Sequence, residues 1–142
     1  MKIAYVVNDL DFFISHRLPL AKKAVELGYY VFIISNKLPS IKYKGIDFKT
    51  FSIERSSTSI IKNFKSLLEL KRIFKDISPD IIHSVTLKSI LLSNLVLLFD
   101  KKVNKVNAVS GMGYLFTSNR GSIVLYGIKF ILKAIIKLGK PH

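Results

Sequence analysis

The stretch MKIAYVVNDLDFFISHRLPLAKKAV at the start of the chain constrains the fold more than any other. Lys2 to Val7 is an almost unbroken apolar run, ended by Asn8-Asp9. A strand that is apolar on both faces belongs in the middle of a sheet covered by helices on each side. Ser15 is placed to cap a following helix, whose core stripe is Leu18, Ala21 and Val25. The loop between them, residues 8–14, then lies at the carboxyl end of the first strand, where open α/β sheets bind ligands. It delivers His16 and Arg17 into the first helical turn.

The rest of the chain continues the alternation. Gly28 closes the first helix, residues 30–34 form a second apolar strand, and residues 36–45 form a polar loop containing Pro39. Ile46, Phe48, Phe51 and Ile53 mark a third strand nearer the edge. The run Ser56, Ser57, Thr58, Ser59 caps a long helix to about Lys75, with apolar positions Ile60, Ile61, Phe64, Leu67, Leu68, Ile73 and Phe74. A very short fourth strand, Asp80 to His83, leads through Ser84 and Thr86 into a helix over residues 87–99. That helix is apolar nearly all round, so it is expected to be buried. Residues 103–109 read as a fifth strand, 111–114 as a loop, and Ser122 opens a last helix to about Leu138. Short connections between alternating strands and helices predict an α/β, Rossmann-like, doubly wound parallel sheet, with right-handed crossovers and strand order 3-2-1-4-5. At 142 residues, one domain is expected.

Charge narrows the class of partner. Lysine and arginine number 23 against 9 acids, a net charge of +14. Such a chain attracts polyanions or anionic lipid, although a general lysine bias accounts for part of the excess. Lys129, Lys133 and Lys137 recur every four residues in the last helix, between Ile128, Ile131, Leu132, Ile135, Ile136 and Leu138. This is the pattern of a cationic helix lying on a membrane surface, and it also fits a core helix with a solvated lysine face. Lys62, Lys65, Lys71, Arg72 and Lys75 give the 60–75 helix a second basic face. Nucleic acid is not favoured, since no recognition helix or basic-aromatic RNA motif stands out. Without cysteine there are no disulfides or thiolate metal sites. Asn8, Asp9 and Asp11 interrupt the apolar start too early for a secretory signal, and nowhere do about 18 apolar residues run together. A cytoplasmic chain, peripheral on the inner face of the plasma membrane, is expected.

Three loops converge on the carboxyl edge in this topology. The first carries Asn8, His16 and Arg17; the second His83, Ser84, Thr86 and Lys88; the third Ser110, Gly111, Gly113 and Tyr114. A cation in a first helical turn opposes the helix dipole, which a bound phosphate would offset. His83, at the end of its strand, suits a general acid/base or a donor to a sugar hydroxyl, and equally a satisfied structural histidine. Lys88 suits a phosphate or a snorkelling role. Gly111-Met112-Gly113 resembles the start of a dinucleotide fingerprint, but it follows the fifth strand and Phe116 replaces the third glycine. Dinucleotide binding is therefore rejected and no cofactor is expected. His16, His83 and His142 are too scattered for a metal site, and no GxSxG elbow is present.

Three motifs carry a resemblance. FFISHRLPLAKKAVELGYYVFIIS (residues 12–35), DIIHSVTLKS (80–89) and NAVSGMGYLFTS (107–118) together resemble the amino-terminal half of GT-B glycosyltransferases. The nearest group is the retaining, family 4-like enzymes of bacterial O-antigen, capsule and glycan assembly. The resemblance implies an acceptor-binding domain that touches the membrane and faces a separate nucleotide-sugar-binding domain across a cleft. It implies that a sugar moves from the nucleotide donor to a polyprenyl-diphosphate-linked acceptor with retention. It also implies His16 and Arg17 near the reacting sugar and phosphates, and His83 and Lys88 on the acceptor side. Gly111, Gly113 and Tyr114 would shape the cleft floor. Nothing in the sequence corresponds to the donor-binding half, so an incomplete enzyme with little activity alone is expected. The alternative is a non-catalytic membrane-surface subunit that recruits a donor-binding chain.

Overall fold

The apolar opening run is the central strand. The computed structural model describes residues 1–53, 59–98, 100 and 102–109. Among them the elements run β1 (Lys2–Val7), α1 (Leu10–Glu26), β2 (Tyr30–Ser35), β3 (Ile46–Thr50), α2 (Ile60–Ile77), β4 (Ile81–Val85), α3 (Leu87–Val96) and β5 (Asn104–Ala108). The five strands form one sheet in the order β3-β2-β1-β4-β5, and every neighbouring pair is parallel. β1 is buried along almost its whole length because both faces are covered. Ile3, Tyr5 and Val7 pack with Phe13, Leu18, Ala21 and Ala24 on one side. Ala4 and Val6 pack with Leu70, Phe74, Ile77 and Leu92 on the other. The period-2 alternation of a strand thus divides the core into two layers, one under α1 and one under α2 and α3.

Several local expectations are corrected. α1 begins at Leu10, and its N-cap is Asp9, whose carboxylate accepts from the Phe12 amide at 3.2 Å. Ser15 lies inside the helix, where its hydroxyl donates to the Asp11 carbonyl at 2.9 Å. Asp9 wins because the apolar stripe starts with Leu10 and Phe13, both fully buried. Pro19 is consequently in the helix interior, a placement that normally costs about 3 kcal/mol. Gly28 does close α1, at φ +83°, with its amide donating to the Val25 carbonyl and the Tyr29 amide to that of Ala24.

Strand and helix do not alternate everywhere. β2 and β3 are parallel, yet the crossover between them, residues 36–45, contains no helix. That loop lies against α1. Gly45 is against Val25, Lys22 sits over the Tyr43 ring at 5.8 Å, and Tyr43 packs onto the α1-side core.

The helices on the other face also differ from their sequence pattern. α2 buries Ser66, Leu70, Phe74 and Ile77. Ile60, Ile61, Phe64 and Leu68 are instead exposed, at 84%, 83%, 58% and 43%. The sheet accepts only one stripe of α2, and the one selected runs through the Ser66 hydroxyl, which bonds to the Ser52 and Lys62 carbonyls. α3 buries Ser89, Ile90, Leu92, Ser93 and Asn94 but exposes Leu95, so it is not covered all round. Ser59 is the N-cap residue of α2 but makes no side-chain cap bond, while residues 56–58 lie outside the described residues.

Candidate functional site

Parallel pairing brings the ends of β1, β4 and β5 to one edge: Val7 pairs with Val85, and Val85 with Ala108. Asn8, the first residue beyond β1, is buried there. Two of the amides at the amino end of α1 are already bonded: Phe12 to the Asp9 carboxylate, and Leu10 to Asn36 Oδ1 at 3.3 Å. His16 and Arg17 occupy the second turn rather than the first.

His83 is mid-strand. It pairs with Tyr5 on one side and Val106 on the other, because β4 continues to Val85. Its ring lies 5.2 Å from that of Tyr5, which in turn lies 5.3 Å from Phe13. The row thus runs from Phe13 on α1 through Tyr5 on β1 to His83 on β4. Burial lowers the His83 pKa, and the Arg17 guanidinium adds to the effect, so the imidazole is neutral near pH 7. Burial also raises the Tyr5 pKa. Nε2 of His83 is buried, and among the described residues no group hydrogen-bonds to it. A neutral imidazole with one uncommitted nitrogen can accept from, or donate to, any hydroxyl that gains access to it.

His16 and Arg17 separate in role. His16 is exposed, stacked on Phe12 at 4.6 Å, with Nδ1 2.7 Å from the Ser15 hydroxyl. Arg17 is half-buried and its charge reaches His83. Thr86 caps α3 with φ +80° and ψ 151°, an outlying conformation for a β-branched residue. Its amide donates to the Ala108 carbonyl at 3.3 Å and its hydroxyl to Ser89. Strain of this kind, worth about 1–3 kcal/mol, concentrates at functional positions. Lys88 is half-buried in the first turn of α3. Gly111, Gly113 and Tyr114, and the lysines at 129, 133 and 137, lie outside the described residues. Lys62 and Lys65 are exposed on α2, and Lys65 pairs with Glu69 at 3.8 Å. Among the described residues no cluster of three histidine or acidic side chains is placed to hold a metal, and no helix is long and apolar enough to cross a membrane.

A family model described as glycosyl transferase 4-like matches residues 2–139. The chain belongs to that family. No curated protein matches the sequence. Among solved structures, the chain is similar to a sucrose-phosphate synthase from Thermosynechococcus elongatus. The TM-score is 0.69 at 11% identity, and the alignment covers 95% of this chain and 40% of the synthase. It is also similar to the UDP-GlcNAc 2-epimerase of Methanocaldococcus jannaschii, with a TM-score of 0.54 at 17% identity over 92% of this chain and 37% of the epimerase. At such identities the likeness shows the fold, that of one Rossmann-like half of a GT-B protein. The chain spans about two fifths of each neighbour's length.

Sequence reasoning missed Tyr5, Asp9 and Asn36. Strand periodicity places Tyr5 on the same face as Val7, and register with β4 then sets it beside His83. The Asp9 signal was the apolar spacing Leu10, Phe13, which starts the helical stripe five residues before Ser15. Nothing local marks Asn36; only the β2–β1 pairing brings it to α1.

Proposed function

We propose that this glycosyl transferase 4-like domain is the acceptor-binding half of a retaining glycosyltransferase. In this reading the intact enzyme moves a sugar from a nucleotide-sugar to a polyprenyl-diphosphate-linked glycan. The family match over residues 2–139 carries it. His83, whose Nε2 has no hydrogen-bond partner among the described residues and whose pKa is lowered by burial and by the Arg17 charge, supports it. In this reading His83 bonds an acceptor hydroxyl and Arg17 offers its charge to the diphosphate, with Asn8, Thr86 and Lys88 around the same edge. His16, on the exposed side of α1, faces the cleft. The donor binds on a second domain opposite this edge, on the same polypeptide or on another chain.

The outward face of α2 supports attachment to the inner membrane face. Ile61, Lys65, Leu68, Arg72 and Lys75 succeed one another at intervals of three or four, so they share its outward face. All five are exposed. Each cation near an anionic surface contributes about 1 kcal/mol, and Ile61 with Phe64 adds apolar insertion.

The test is calorimetric. The purified chain is titrated with nanodiscs bearing a polyprenyl-diphosphate-linked saccharide, and separately with UDP- and GDP-sugars. Binding to the lipid-linked saccharide without binding to nucleotide-sugars is expected. Nucleotide-sugar binding with no response to the lipid-linked saccharide would assign the domain to the donor instead.

A further inference from the structure

The helix-free crossover between β2 and β3 leaves a cavity beside α1 that the edge site does not use. A helix there would pack on the sheet beside α1. The loop instead lies along α1 and leaves an open pocket of about 240 Å³ between the first turns of α1 and residues 37–43. Leu10, Ile14, Leu38, Pro39, Ile41 and Tyr43 form its apolar part, while Asp11, Lys37 and Ser40 form its polar part. The loop is tied to α1 at two points: Asn36 Oδ1 accepts from the Leu10 amide, and Lys37 Nζ donates to Asp11 at 2.6 Å.

The size and lining select among ligands. At about 240 Å³ the space is below the range of about 300–1,000 Å³ typical of sites for drug-sized molecules, so it suits one ring rather than a chain. A polyprenyl tail would want a wholly apolar wall, and the Asp11–Lys37 pair would be desolvated against it without return. A pyranose ring matches both halves: its C–H face packs on Leu10, Ile14 and Tyr43, and its hydroxyl edge meets a carboxylate, an ammonium and a hydroxyl. The side chains of Asp11 and Lys37 are 74% and 50% exposed, so their pairing is of the weakly stabilising surface kind. Vicinal hydroxyls can therefore share them at little loss, donating to Asp11 and accepting from Lys37.

We propose that this cavity is a sugar subsite, holding one pyranose ring of the acceptor glycan. The proposal rests on the acceptor reading above and extends it to recognition beyond the reacting sugar. It places specificity for the acceptor in the β2–β3 loop and in the first turns of α1.

The experiment uses the purified chain with labelled isoleucine methyl groups and labelled backbone amides. Methyl glycosides of glucose, galactose and N-acetylglucosamine are titrated in, with geranyl phosphate as the lipid probe. The proposal expects at least one glycoside to shift the Ile14 and Ile41 methyl resonances saturably. Ser40→Trp, which fills the cavity from an exposed loop position, and Asp11→Asn should each weaken that binding about tenfold. Unchanged far-UV circular dichroism establishes that both variants are folded. Glycosides that leave Ile14 and Ile41 unmoved, or geranyl phosphate moving them alone, overturn the subsite. Glycoside shifts confined to His83 and Arg17 overturn the subsite and leave the acceptor reading standing. Shifts at Ile14 and Ile41 in a chain that ignores lipid-linked saccharide overturn the acceptor reading and keep the subsite.

Discussion

Replacing Asp9 by alanine tests where α1 begins, and so which residues its amino end can present to a ligand. The Asp9 carboxylate satisfies the Phe12 amide at 3.2 Å, one of the four donors a helix leaves open at its start. Loss of such a cap costs about 1 kcal/mol. Loss of a negative charge at the same end costs roughly 0.3–1 kcal/mol more, least in high salt. Asp9→Ala should therefore lose about 1.5 kcal/mol, whereas Asp9→Asn, which keeps the acceptor, should lose about 0.5 kcal/mol. Ser15→Ala is the control. The Ser15 hydroxyl donates to carbonyls of the preceding turn, a bond that contributes little in a helix interior, and alanine is the better helix former by several tenths of a kcal/mol. Its stability should stay within about 0.5 kcal/mol of the parent. Urea unfolding followed by circular dichroism reads all three, with the slope checked for constancy. A larger loss in Ser15→Ala than in Asp9→Ala would return the helix start to Ser15, and would place His16 and Arg17 in a first turn open to an anion.

Other outcomes follow from the same geometry. The His83 pKa is lowered in the folded chain, so on acidification the unfolded chain takes up its proton first, near pH 6.5. Stability should fall as pH drops through that value, and His83→Gln should flatten the fall; a steeper acid loss in the variant would contradict the assigned burial. Gly45 and Gly28 both have positive φ, but a Cβ at Gly45 would meet Val25 Cγ1 at 2.5 Å while Gly28 faces open space. Gly45→Ala should thus lose more than Gly28→Ala, for which about 1 kcal/mol is expected, and equal thermal shifts would sink the close approach. Leu70→Ala, at a fully buried position, should cost about 3 kcal/mol. Ile61→Ser with Phe64→Ser should leave unfolding nearly unchanged while reducing sedimentation with anionic vesicles; undiminished sedimentation would remove α2 from the membrane contact.

What was legible follows from how local each signal is. β1 could be read because six consecutive residues, all but Lys2 apolar, leave few alternatives to a covered central strand. The strand order followed from connection lengths and handedness rather than from any single residue. The start of α1 was misplaced because two good caps, Asp9 and Ser15, compete, and only tertiary burial of Leu10 and Phe13 decides between them. α2 misled for a related reason. Its apolar residues outnumber what one face of the sheet can cover, and sequence alone does not say which stripe the sheet selects. At the candidate site, His83 and Thr86 were found as residue types, but His83's mid-strand place, its Tyr5 neighbour and the +80° φ of Thr86 arise from pairing across the sheet. The 36–45 segment was legible as a loop, but the pocket beside α1 was not, because it arises from how that loop packs along α1.

The central claim is that the sheet edge at Asn8 and Thr86, next to His83 and Arg17, receives a lipid-linked saccharide. The most direct measurement is the NMR signal of the His83 ring during titration with that saccharide in nanodiscs, set against empty nanodiscs and UDP-sugars. A saturable shift with the saccharide alone, abolished in Arg17→Ala, is the predicted result. A His83 ring that stays still with the saccharide, or moves with UDP-sugars instead, would contradict the account.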